Sequence, residues 1–557
     1  MSDIEAKNLF ELGLKSFQEN NLDDAESKFV KALLLSPKRP SILRNLSIVY
    51  FKKQNYDDAY KTLKLLEEIE EFDDELNIFY FELLKHLDLK DELESFFKKK
   101  SFLIKKNNYF DVFKKLTYPN FFLNDDDIKA KRSKLNSDLD ELLDTKKITF
   151  DLDKEIFEPP IYNLSYDQHQ NLEINKKIVK LFRKIYPQLN QSFENKGVNG
   201  KIKIGFLSQF FDNHTIAKLF KGLIFKLDQS VYDVVVFHSL KTRKTPMHQE
   251  FLNFEINSNI KNITLPAKFS DKVSIINKEK LDIAFFPDIG MSTEFYYLSF
   301  IRFAKIQMTS WGHPITSAND SIDYFLSSEQ LKSKHDKDYF SEKFLYLKKL
   351  PMFFYNPIIQ KKLNDEEILN NNIYFCSQTL IKFHPHFDEI INRILKKDKK
   401  AKLFIIQDQL FNKIDLRLKK NISENIDRVT FLKKLSYNDY INQCGQSSVL
   451  LDTLYFGAGN SFHESMFYGT PTVTLPSEDL KSRIVFGAYK QMRIEDAPIV
   501  KNSYDYVEKA VELANLDKNK MLDYKKMLNS NAMNYLYEQK QFISEMNSLF
   551  SSLHKHL

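Results

Sequence analysis

From residue 201 onward the sequence alternates uniformly apolar segments with amphipathic ones, and this alternation constrains the fold more than any other feature. The apolar segments, such as KIKIGFL and YDVVVFH, are rich in β-branched and aromatic residues, and the segments between them carry apolar residues at helical spacing. Strands that are apolar on both faces are typical of parallel sheets covered by helices. A second set starts at residue 372, beyond the region between Pro351 and Pro357. We therefore predict two doubly wound α/β domains that face each other across a cleft.

The sequence before residue 104 has a different, repetitive pattern. Ala25, Phe29 and Pro37 sit at the spacings of one tetratricopeptide repeat, and Ala59 and Leu63 recur about 34 residues later, which is the period of this repeat. A degenerate third unit follows. The pattern predicts a short array of helical hairpins, with an ordinary helical bundle as the alternative.

The length of 557 residues is too great for a single hydrophobic core, so several domains are expected. The predicted fold class is α + α/β, in which N-terminal tetratricopeptide-like repeats and a helical linker precede a pair of Rossmann-like domains. The predicted boundaries are repeats at 1–104, a helical linker at 105–199, a first Rossmann-like domain at 200–355, a second at 356–520 and C-terminal helices that pack back on the core at 521–557.

Composition and charge exclude several classes of protein. The 82 basic and 76 acidic residues are interspersed and give a net charge of only +6, which is typical of a solvated surface rather than a nucleic-acid-binding arm. The two cysteines, Cys376 and Cys444, are too few for a disulfide framework and indicate a reducing compartment. The N-terminal sequence MSDIEAKNLFELG lacks the regions of a signal peptide, and no apolar run is long enough for a membrane span. We therefore expect a cytoplasmic protein without nucleic-acid or membrane partners.

Glycine is scarce, with 12 residues in the chain, yet three of them lie between positions 457 and 469. SVLLDT is a predicted strand, GAGN at 457–460 a turn, and SFHESMFYG a helix that ends at Gly469. A turn that leads from a parallel strand into a helix places free backbone N–H groups at the carboxyl edge of the sheet, which is an anion site. A structural tight turn is the alternative interpretation.

Polar side chains beside this turn fit an anion site. Asn460 and Ser461 are natural N-cap residues that can also contact a phosphate. Glu464, one helical turn further on, can accept hydrogen bonds from a ribose diol. The order of residues matches neither a Walker loop nor the GxGxxG fingerprint, so the motif alone does not identify the ligand.

Five segments of the chain resemble the bacterial SPINDLY-type and O-GlcNAc transferase-like family of glycosyltransferases. They are IGFLSQFFDNHTIAKLF at 204–220, PDIGMS at 287–292, TSWGHPITSANDSIDYFLSS at 309–328, FCSQTLIKFHP at 375–385 and LLDTLYFGAGNSFHESMFYGTPTVTLP at 450–476. With the helical segments before residue 200, the resemblance covers nearly the whole chain in the right order. It implies the GT-B arrangement of two Rossmann-like domains and transfer of a sugar from a nucleotide donor, with inversion and without a metal.

The resemblance also assigns candidate roles to individual residues. Lys382 matches the phosphate-binding lysine and His214 the histidine of an Asn-His pair, and these two are the catalytic candidates. His214 can be a general base or a hydrogen-bond donor to phosphate or acceptor, and His313 can belong to an acceptor site or to a rigid corner. The donor-binding candidates are Gln378, Tyr440, Gly457, Gly459, Asn460, Ser461 and Glu464, with the Tyr440 ring stacking on the donor base, and the acceptor-side candidates are Asn213 and His313.

The simplest function that the resemblance implies is transfer of GlcNAc from UDP-GlcNAc to Ser or Thr side chains of proteins, with no metal or other cofactor. The repeats are expected to recruit the protein or peptide acceptor, and a homodimer is possible. Alternatives are a hexose moved to Asn, a fucose moved to Ser or Thr, or an inactive repeat scaffold. Gly459, Asn460 and Ser461 stand where the animal enzymes have His-Thr-Thr, and Glu464 replaces an Asp, which leaves the sugar and the base open.

Overall fold

The chain folds into two compact units, residues 1–114 and 115–557. The structure is a computed structural model, and it describes residues 2–19, 21–87, 89–99, 108–146, 148–193, 200–254, 258, 260–368 and 372–555. Within these ranges, none of the helices combines the length and the apolar character that a membrane span needs.

Paired helices build the first unit, as the repeat pattern predicts. Ala25 and Ala59 are fully buried on the second and fourth helices, where a small side chain lets neighbouring helices approach closely. The second helix begins after Asn21, whose side chain accepts a hydrogen bond from the Asp24 N–H, and it ends at Leu35, before Pro37. The helices are α1 (Ser2–Gln18), α2 (Leu22–Leu35), α3 (Pro40–Lys52), α4 (Tyr56–Glu67), α5 (Asp74–His86), α6 (Lys90–Lys99) and α7 (Asn108–Leu116), the last of which crosses the boundary between the units.

The helical segment that precedes the sheets belongs to the second unit. Its helices are α8 (Asp125–Asp144), α9 (Ile161–Leu164) and α10 (Leu172–Ile185). Helix α10 buries an apolar face, and its Asn175 side chain donates a hydrogen bond of 3.0 Å to the carbonyl of Thr316. The segment predicted as a linker is therefore fastened to the loops of the first sheet.

The first sheet has seven parallel strands in the order β3-β2-β1-β4-β5-β6-β7. The central strands of the sheet are buried because helices cover both of its faces, whereas the two edge strands, which carry Lys261 and Lys343, are partly exposed. In chain order the elements are β1 (Ile202–Leu207), α11 (Thr215–Lys226), β2 (Tyr232–His238), α12 (Pro246–Phe254), β3 (Ile260–Thr264), α13 (Phe269–Lys278), β4 (Ile283–Phe286), α14 (Thr293–Leu298), β5 (Ile306–Ser310), β6 (Tyr324–Ser328), α15 (Asp336–Tyr339) and β7 (Lys343–Leu347). We call this sheet and its helices the first lobe.

The second sheet has five parallel strands in the order β10-β9-β8-β11-β12, and with its helices it forms the second lobe. The elements are β8 (Ile373–Cys376), α16 (Pro385–Lys397), β9 (Lys402–Ile406), α17 (Phe411–Asn421), β10 (Val429–Leu432), α18 (Tyr437–Gln446), β11 (Val449–Leu451), α19 (Asn460–Ser465), β12 (Thr472–Val473), α20 (Ile484–Met492) and α21 (Ser503–Ala514). The prediction of two doubly wound lobes is confirmed.

Two C-terminal helices, α22 (Lys518–Tyr535) and α23 (Lys540–Lys555), follow the second lobe. Their buried residues, including Leu528 and Phe550, share a hydrophobic core with the strands of the first sheet. Lys525 of α22 also donates hydrogen bonds to the carbonyls of Gly445 and Ser447 in the second lobe, so the C-terminal helices contact both lobes.

The helix predicted to run to Gly469 is shorter, because α19 ends at Ser465 and the next residues form turns. Gly469 has a φ of +63°, and a Cβ there would lie 1.9 Å from the carbonyl oxygen of Lys525 on α22. Only glycine fits so close an approach in this left-handed conformation. Gly469 thus serves packing of the C-terminal helix rather than a ligand.

Candidate active site

A cleft of about 440 Å³ lies between the two lobes, at the carboxyl ends of β1, β5, β8 and β11. Loops after parallel strands are where α/β folds place their ligands. Of the residues proposed from the sequence, all except Asn213 and Gly457 line this cleft, namely His214, His313, Gln378, Lys382, Tyr440, Gly459, Asn460, Ser461 and Glu464. Residues from five separate stretches of sequence, at 214, 313, 378–382, 440 and 459–464, are therefore brought together.

A chain of hydrogen bonds joins the loop after β8 to the glycine turn. Lys382 Nζ donates to Gln378 Oε1 at 2.8 Å and to the carbonyl of Gly457 at 2.9 Å. Gln378 Nε2 in turn donates to Ser461 Oγ at 2.7 Å. Gly457 thus contributes its carbonyl oxygen to the network although it does not line the cleft. The arrangement holds an ammonium group and an amide beside the start of α19.

Burial lowers the pKa of Lys382 to about 8, and the nearby carboxylate of Asp452 offsets part of this effect. Lys382 Nζ also lies 4.8 Å from the centre of the Phe456 ring. At neutral pH the lysine still carries its charge, and burial leaves that charge poorly hydrated and able to attract an anion strongly.

Asp452, which we did not propose from the sequence, builds the glycine turn. Its Oδ1 accepts the backbone N–H of Ala458 at 2.6 Å, and its Oδ2 accepts Thr474 Oγ1 at 2.7 Å. Burial raises the pKa of Asp452 to about 6. A carboxylate at the end of a buried strand, followed by a glycine turn, was the available signal for this role.

The start of α19 faces the cleft. Asn460 and Ser461 occupy the first turn, where backbone N–H groups have no partner within the helix. The Asn460 Oδ1 atom is buried and has no hydrogen-bond partner among the described residues. The Tyr440 hydroxyl lies 3.4 Å from the carbonyl of Ser461, so this tyrosine borders the same turn. The first turn of α19 therefore offers backbone N–H donors to a ligand.

Glu464 lines the cleft but is already paired. Only 5% of the residue is exposed, and its Oε1 accepts Nζ of Lys218, on the first lobe, at 2.5 Å. The acid proposed to face a ribose diol is therefore held by a cation from the opposite lobe. The spacing of Lys218, four residues after His214, was the only sequence signal for this contact.

His214 is the N-cap of α11 and faces the cleft. Its Nδ1 accepts the backbone N–H of Ile216 at 3.3 Å, and its ring stacks on Phe210 with ring centres 4.4 Å apart. Burial lowers the pKa of His214 to about 4, so the ring is neutral and its proton is on Nε2. Its neighbour Asn213 is exposed, and its backbone N–H donates to Thr245 Oγ1 outside the cleft lining.

His313 has the opposite tautomer. Its Nδ1 lies 3.0 Å from the carbonyl of Ile289, which can only accept, so Nδ1 carries the proton. The Nε2 atom is left as an acceptor that has no partner among the described residues. Burial lowers the pKa of His313 to about 4. Gly290 makes room for this ring, because its φ is +102° and a Cβ there would lie 2.6 Å from Nδ1.

Two tyrosines of the helical segment also line the cleft, and sequence reasoning missed both. Tyr162 stacks on His313 with ring centres 5.7 Å apart, and Tyr166 lies 4.7 Å from the Phe456 ring. Tyr162 lies in the short helix α9 and Tyr166 in the turn that follows it, and their ring centres are 5.2 Å apart. The segment before the sheets therefore forms part of the site.

A cluster of three possible metal ligands lies outside the cleft lining, formed by Asp125, His384 and His386. His384 Nδ1 accepts the backbone N–H of His386 at 3.1 Å, so Nε2 carries the proton and lies 2.8 Å from Gln168 Oε1. A protonated nitrogen has no lone pair for a cation. The cluster is better described as a helix cap in which His386 Nε2 lies 2.9 Å from Asp125 Oδ2.

Comparisons with known proteins support the same architecture. The tetratricopeptide repeat family matches residues 16–77. The probable UDP-N-acetylglucosamine–peptide N-acetylglucosaminyltransferase SEC of Arabidopsis thaliana is 23% identical over 338 residues, which cover 56% of this chain and 33% of that protein. The UDP-glucose:protein N-beta-glucosyltransferase of Actinobacillus pleuropneumoniae is 23% identical over 270 residues, 47% of this chain and 43% of that protein. The matches thus span less than half the length of either relative.

Among solved structures, a mutant of the Thermobaculum terrenum O-GlcNAc transferase is similar over the whole chain. The TM-score is 0.67 at 14% identity, and the match covers 100% of this chain and 98% of that one. At this identity the likeness establishes the fold. The chain therefore combines tetratricopeptide repeats with a GT-B glycosyltransferase fold, and in this architecture it is similar to O-GlcNAc transferases.

Proposed function

We propose that the protein is an inverting glycosyltransferase that moves a sugar, in the simplest case GlcNAc from UDP-GlcNAc, to Ser or Thr side chains of proteins without a metal. The observation that carries the proposal is the network of Lys382, Gln378 and Ser461 beside the glycine turn, in the cleft of a GT-B fold. The named relatives that use UDP-sugars support the choice of donor.

In such a transfer the leaving nucleoside diphosphate gains negative charge as the glycosidic bond breaks. The Lys382 ammonium and the backbone N–H groups of Asn460 and Ser461 are placed to meet this charge. Lys382 would exchange its present acceptors, Gln378 Oε1 and the Gly457 carbonyl, for phosphate oxygens. A preorganised cation with backbone donors supplies the stabilisation that a divalent metal supplies in other transferases.

The two cleft histidines fit different tasks because their tautomers differ. His214 presents an N–H at Nε2 and, with a pKa of about 4, would hold a proton poorly as a general base. We assign it the role of hydrogen-bond donor to a phosphate or to the acceptor. His313 presents a lone pair at Nε2, which suits it to accept the hydrogen of an incoming hydroxyl on the acceptor side.

Transfer of glucose to Asn is the second candidate. It rests on the N-beta-glucosyltransferase, which matches this chain at the same 23% identity as the plant protein. An Asn amide also offers an N–H to the His313 lone pair, so the geometry of the cleft suits either acceptor. In both cases we propose that the repeats recruit the protein acceptor and that the chain works in a reducing compartment, where Cys376 and Cys444 stay free.

A panel of nucleotide sugars tests the proposal most directly. A ligand that binds the native state raises the melting temperature by mass action, so UDP-GlcNAc or UDP-glucose is expected to raise Tm and GDP-fucose is not. Release of UDP in the presence of peptides that contain Ser or Asn then distinguishes the two acceptors. Absence of any shift, and of any release of UDP or GDP, with all three sugars would contradict the proposed activity.

A further inference from the structure

One ion pair crosses the candidate active site from lobe to lobe. Lys218 lies on α11 of the first lobe, and its Nζ is 2.5 Å from Oε1 of Glu464 on α19 of the second. The positions of the two residues are related. Lys218 comes one helical turn after the cleft residue His214, and Glu464 comes one turn after the cleft residue Asn460. Residues four apart lie on one face of a helix, so the ion pair joins the cleft-facing sides of α11 and α19.

The Lys218 ammonium contacts two separate elements of the second lobe. Besides Glu464 it lies 4.6 Å from the centre of the Tyr437 ring at the start of α18. The lysine side chain is 26% exposed and that of the acid 6% exposed. A carboxylate so well buried needs a nearby cation, and this one comes from the other lobe.

The pair leaves part of Glu464 available to a ligand. Glu464 lines the cleft, and its Oε1 accepts Lys218, whereas no hydrogen bond to Oε2 exists among the described residues. The carboxylate can therefore keep its cation and still accept a hydroxyl. Lys218 itself lies behind the acid rather than in the cleft lining.

We propose that Lys218 is a positioning residue for the nucleotide donor: it holds Glu464 in the orientation that receives the donor, so that the second lobe binds nucleotide tightly only while the first lobe is engaged. The inference rests on the proposed function, because it assumes that a UDP-sugar occupies the cleft. It makes donor affinity a property of both lobes, although Lys382 and the N–H groups proposed to meet the diphosphate belong to the second.

The chain offers a closely matched control in Lys221, which lies on the same helix α11. Its Nζ also pairs with an acid, Glu250 Oε2 at 2.5 Å, and also lies over an aromatic ring, that of Tyr355 at 5.1 Å. Glu250 is on α12 of the first lobe, so this ion pair stays within one lobe and outside the cleft lining. Substitution of Lys218 or of Lys221 removes one lysine from α11, but only substitution of Lys218 removes the ion pair with Glu464.

The test is UDP binding by calorimetry, together with UDP-GlcNAc turnover, on the full-length chain. Lys218→Met is expected to weaken UDP binding about tenfold or more and to raise KM for UDP-GlcNAc by a similar factor, while kcat changes less than about threefold. Lys218→Arg should restore affinity to within about threefold, and Lys221→Met should leave it within about twofold. A purely structural role would not give this division between KM and kcat with rescue by arginine.

A double variant keeps the proposal falsifiable if Lys218→Met does not fold. Lys218→Gln with Glu464→Gln replaces the ion pair by a neutral hydrogen-bonded pair, and it should bind UDP no more weakly than Glu464→Gln alone, because both changes act on one contact. Additive losses, or wild-type affinity in a folded Lys218 variant, would overturn the inference and leave the proposed function standing. Failure of the wild-type chain to bind UDP at all would instead overturn the proposed function, and the inference with it.

Discussion

The two walls of the cleft are built in different ways. On the side that we propose binds the donor, the donor wall, Gln378, Lys382 and Ser461 come from two neighbouring loops of one sheet and are hydrogen-bonded to one another. On the side that we propose binds the acceptor, the acceptor wall, His214 and His313 come from separate loops, and each is hydrogen-bonded to a backbone group. The donor wall is a hydrogen-bonded network around one cation, whereas the acceptor wall is a pair of neutral rings with assigned tautomers. We expect the donor wall to control charge stabilisation and the acceptor wall to control orientation.

The largest expected effect is on the donor wall. Lys382→Ala should reduce transfer at least about a hundredfold, because loss of one preorganised contact to a developing anion costs about 2.7–4 kcal/mol. Initial rates at saturating donor provide the measurement, with circular dichroism to verify folding. Lys397→Ala is a suitable control, since Lys397 forms a partly exposed ion pair with Glu508 away from the cleft and should retain nearly full activity. Near-normal turnover of a folded Lys382→Ala protein would show that this lysine does not stabilise the leaving diphosphate.

The donor wall was largely predictable from the sequence because its signals are local. A glycine turn between a strand and a helix can be recognised without knowing what packs against it, and Lys382 was identified because its segment resembles that of a known family. The alternation of apolar strands and helices likewise predicted both sheets. The pairing of Glu464 with Lys218 was not predictable, because it depends on how one lobe lies against the other.

The acceptor wall was predicted less completely, for reasons that particular residues illustrate. His313 was a candidate, but its tautomer depends on the carbonyl of Ile289, which no side-chain pattern encodes. Tyr162 and Tyr166 lie in a segment that looked like a helical linker, and only the tertiary fold brings them to the cleft. Asn213, proposed beside His214, is exposed at the cap of α11 and does not line the cleft.

The second-largest effect is expected from a substitution in the acceptor wall. His313→Phe keeps a ring against Tyr162 but removes the Nε2 acceptor, and we expect kcat/KM for the peptide acceptor to fall about 10–100-fold, as for loss of a buried hydrogen bond. The affinity for UDP should change little. His313→Gln, whose side-chain oxygen can reach a similar place, should recover part of the rate. An equal loss of UDP affinity in His313→Phe would show that the two walls are not separate.

A smaller effect is expected from pH, and its sign follows from the lowered pKa of Lys382. The charged form binds the diphosphate, so kcat/KM for the donor should decrease above about pH 8, up to tenfold per pH unit. The same shift does not destabilise the fold at high pH: with a folded pKa below the unfolded one, the unfolded chain binds more protons between the two values, and this group's contribution to stability rises with pH there.

A pH–rate profile of wild type and Lys382→Arg separates this cause from others. Arginine stays charged throughout the range, so whatever activity the variant retains should show no decrease near pH 8. His214 and His313, with pKa values of about 4, are neutral both below and above pH 8, so they should not contribute to this decrease. If the decrease in kcat/KM near pH 8 persists unchanged in Lys382→Arg, it must be assigned to another titrating group.

The smallest effect is expected from removal of divalent metal. If Lys382 and the N–H groups at the start of α19 neutralise the diphosphate, transfer should continue in excess EDTA at a rate within about twofold of the untreated enzyme. Among the described residues, the cluster formed by Asp125, His384 and His386 is the place where a bound metal would be looked for first.

Should added manganese stimulate transfer, Asp125→Asn distinguishes two causes. If Asp125→Asn abolishes the stimulation, the ion binds at the cluster, and the proton assigned to His384 Nε2 is wrong. If the stimulation remains, the metal binds together with the donor, and the donor wall does not neutralise the diphosphate unaided.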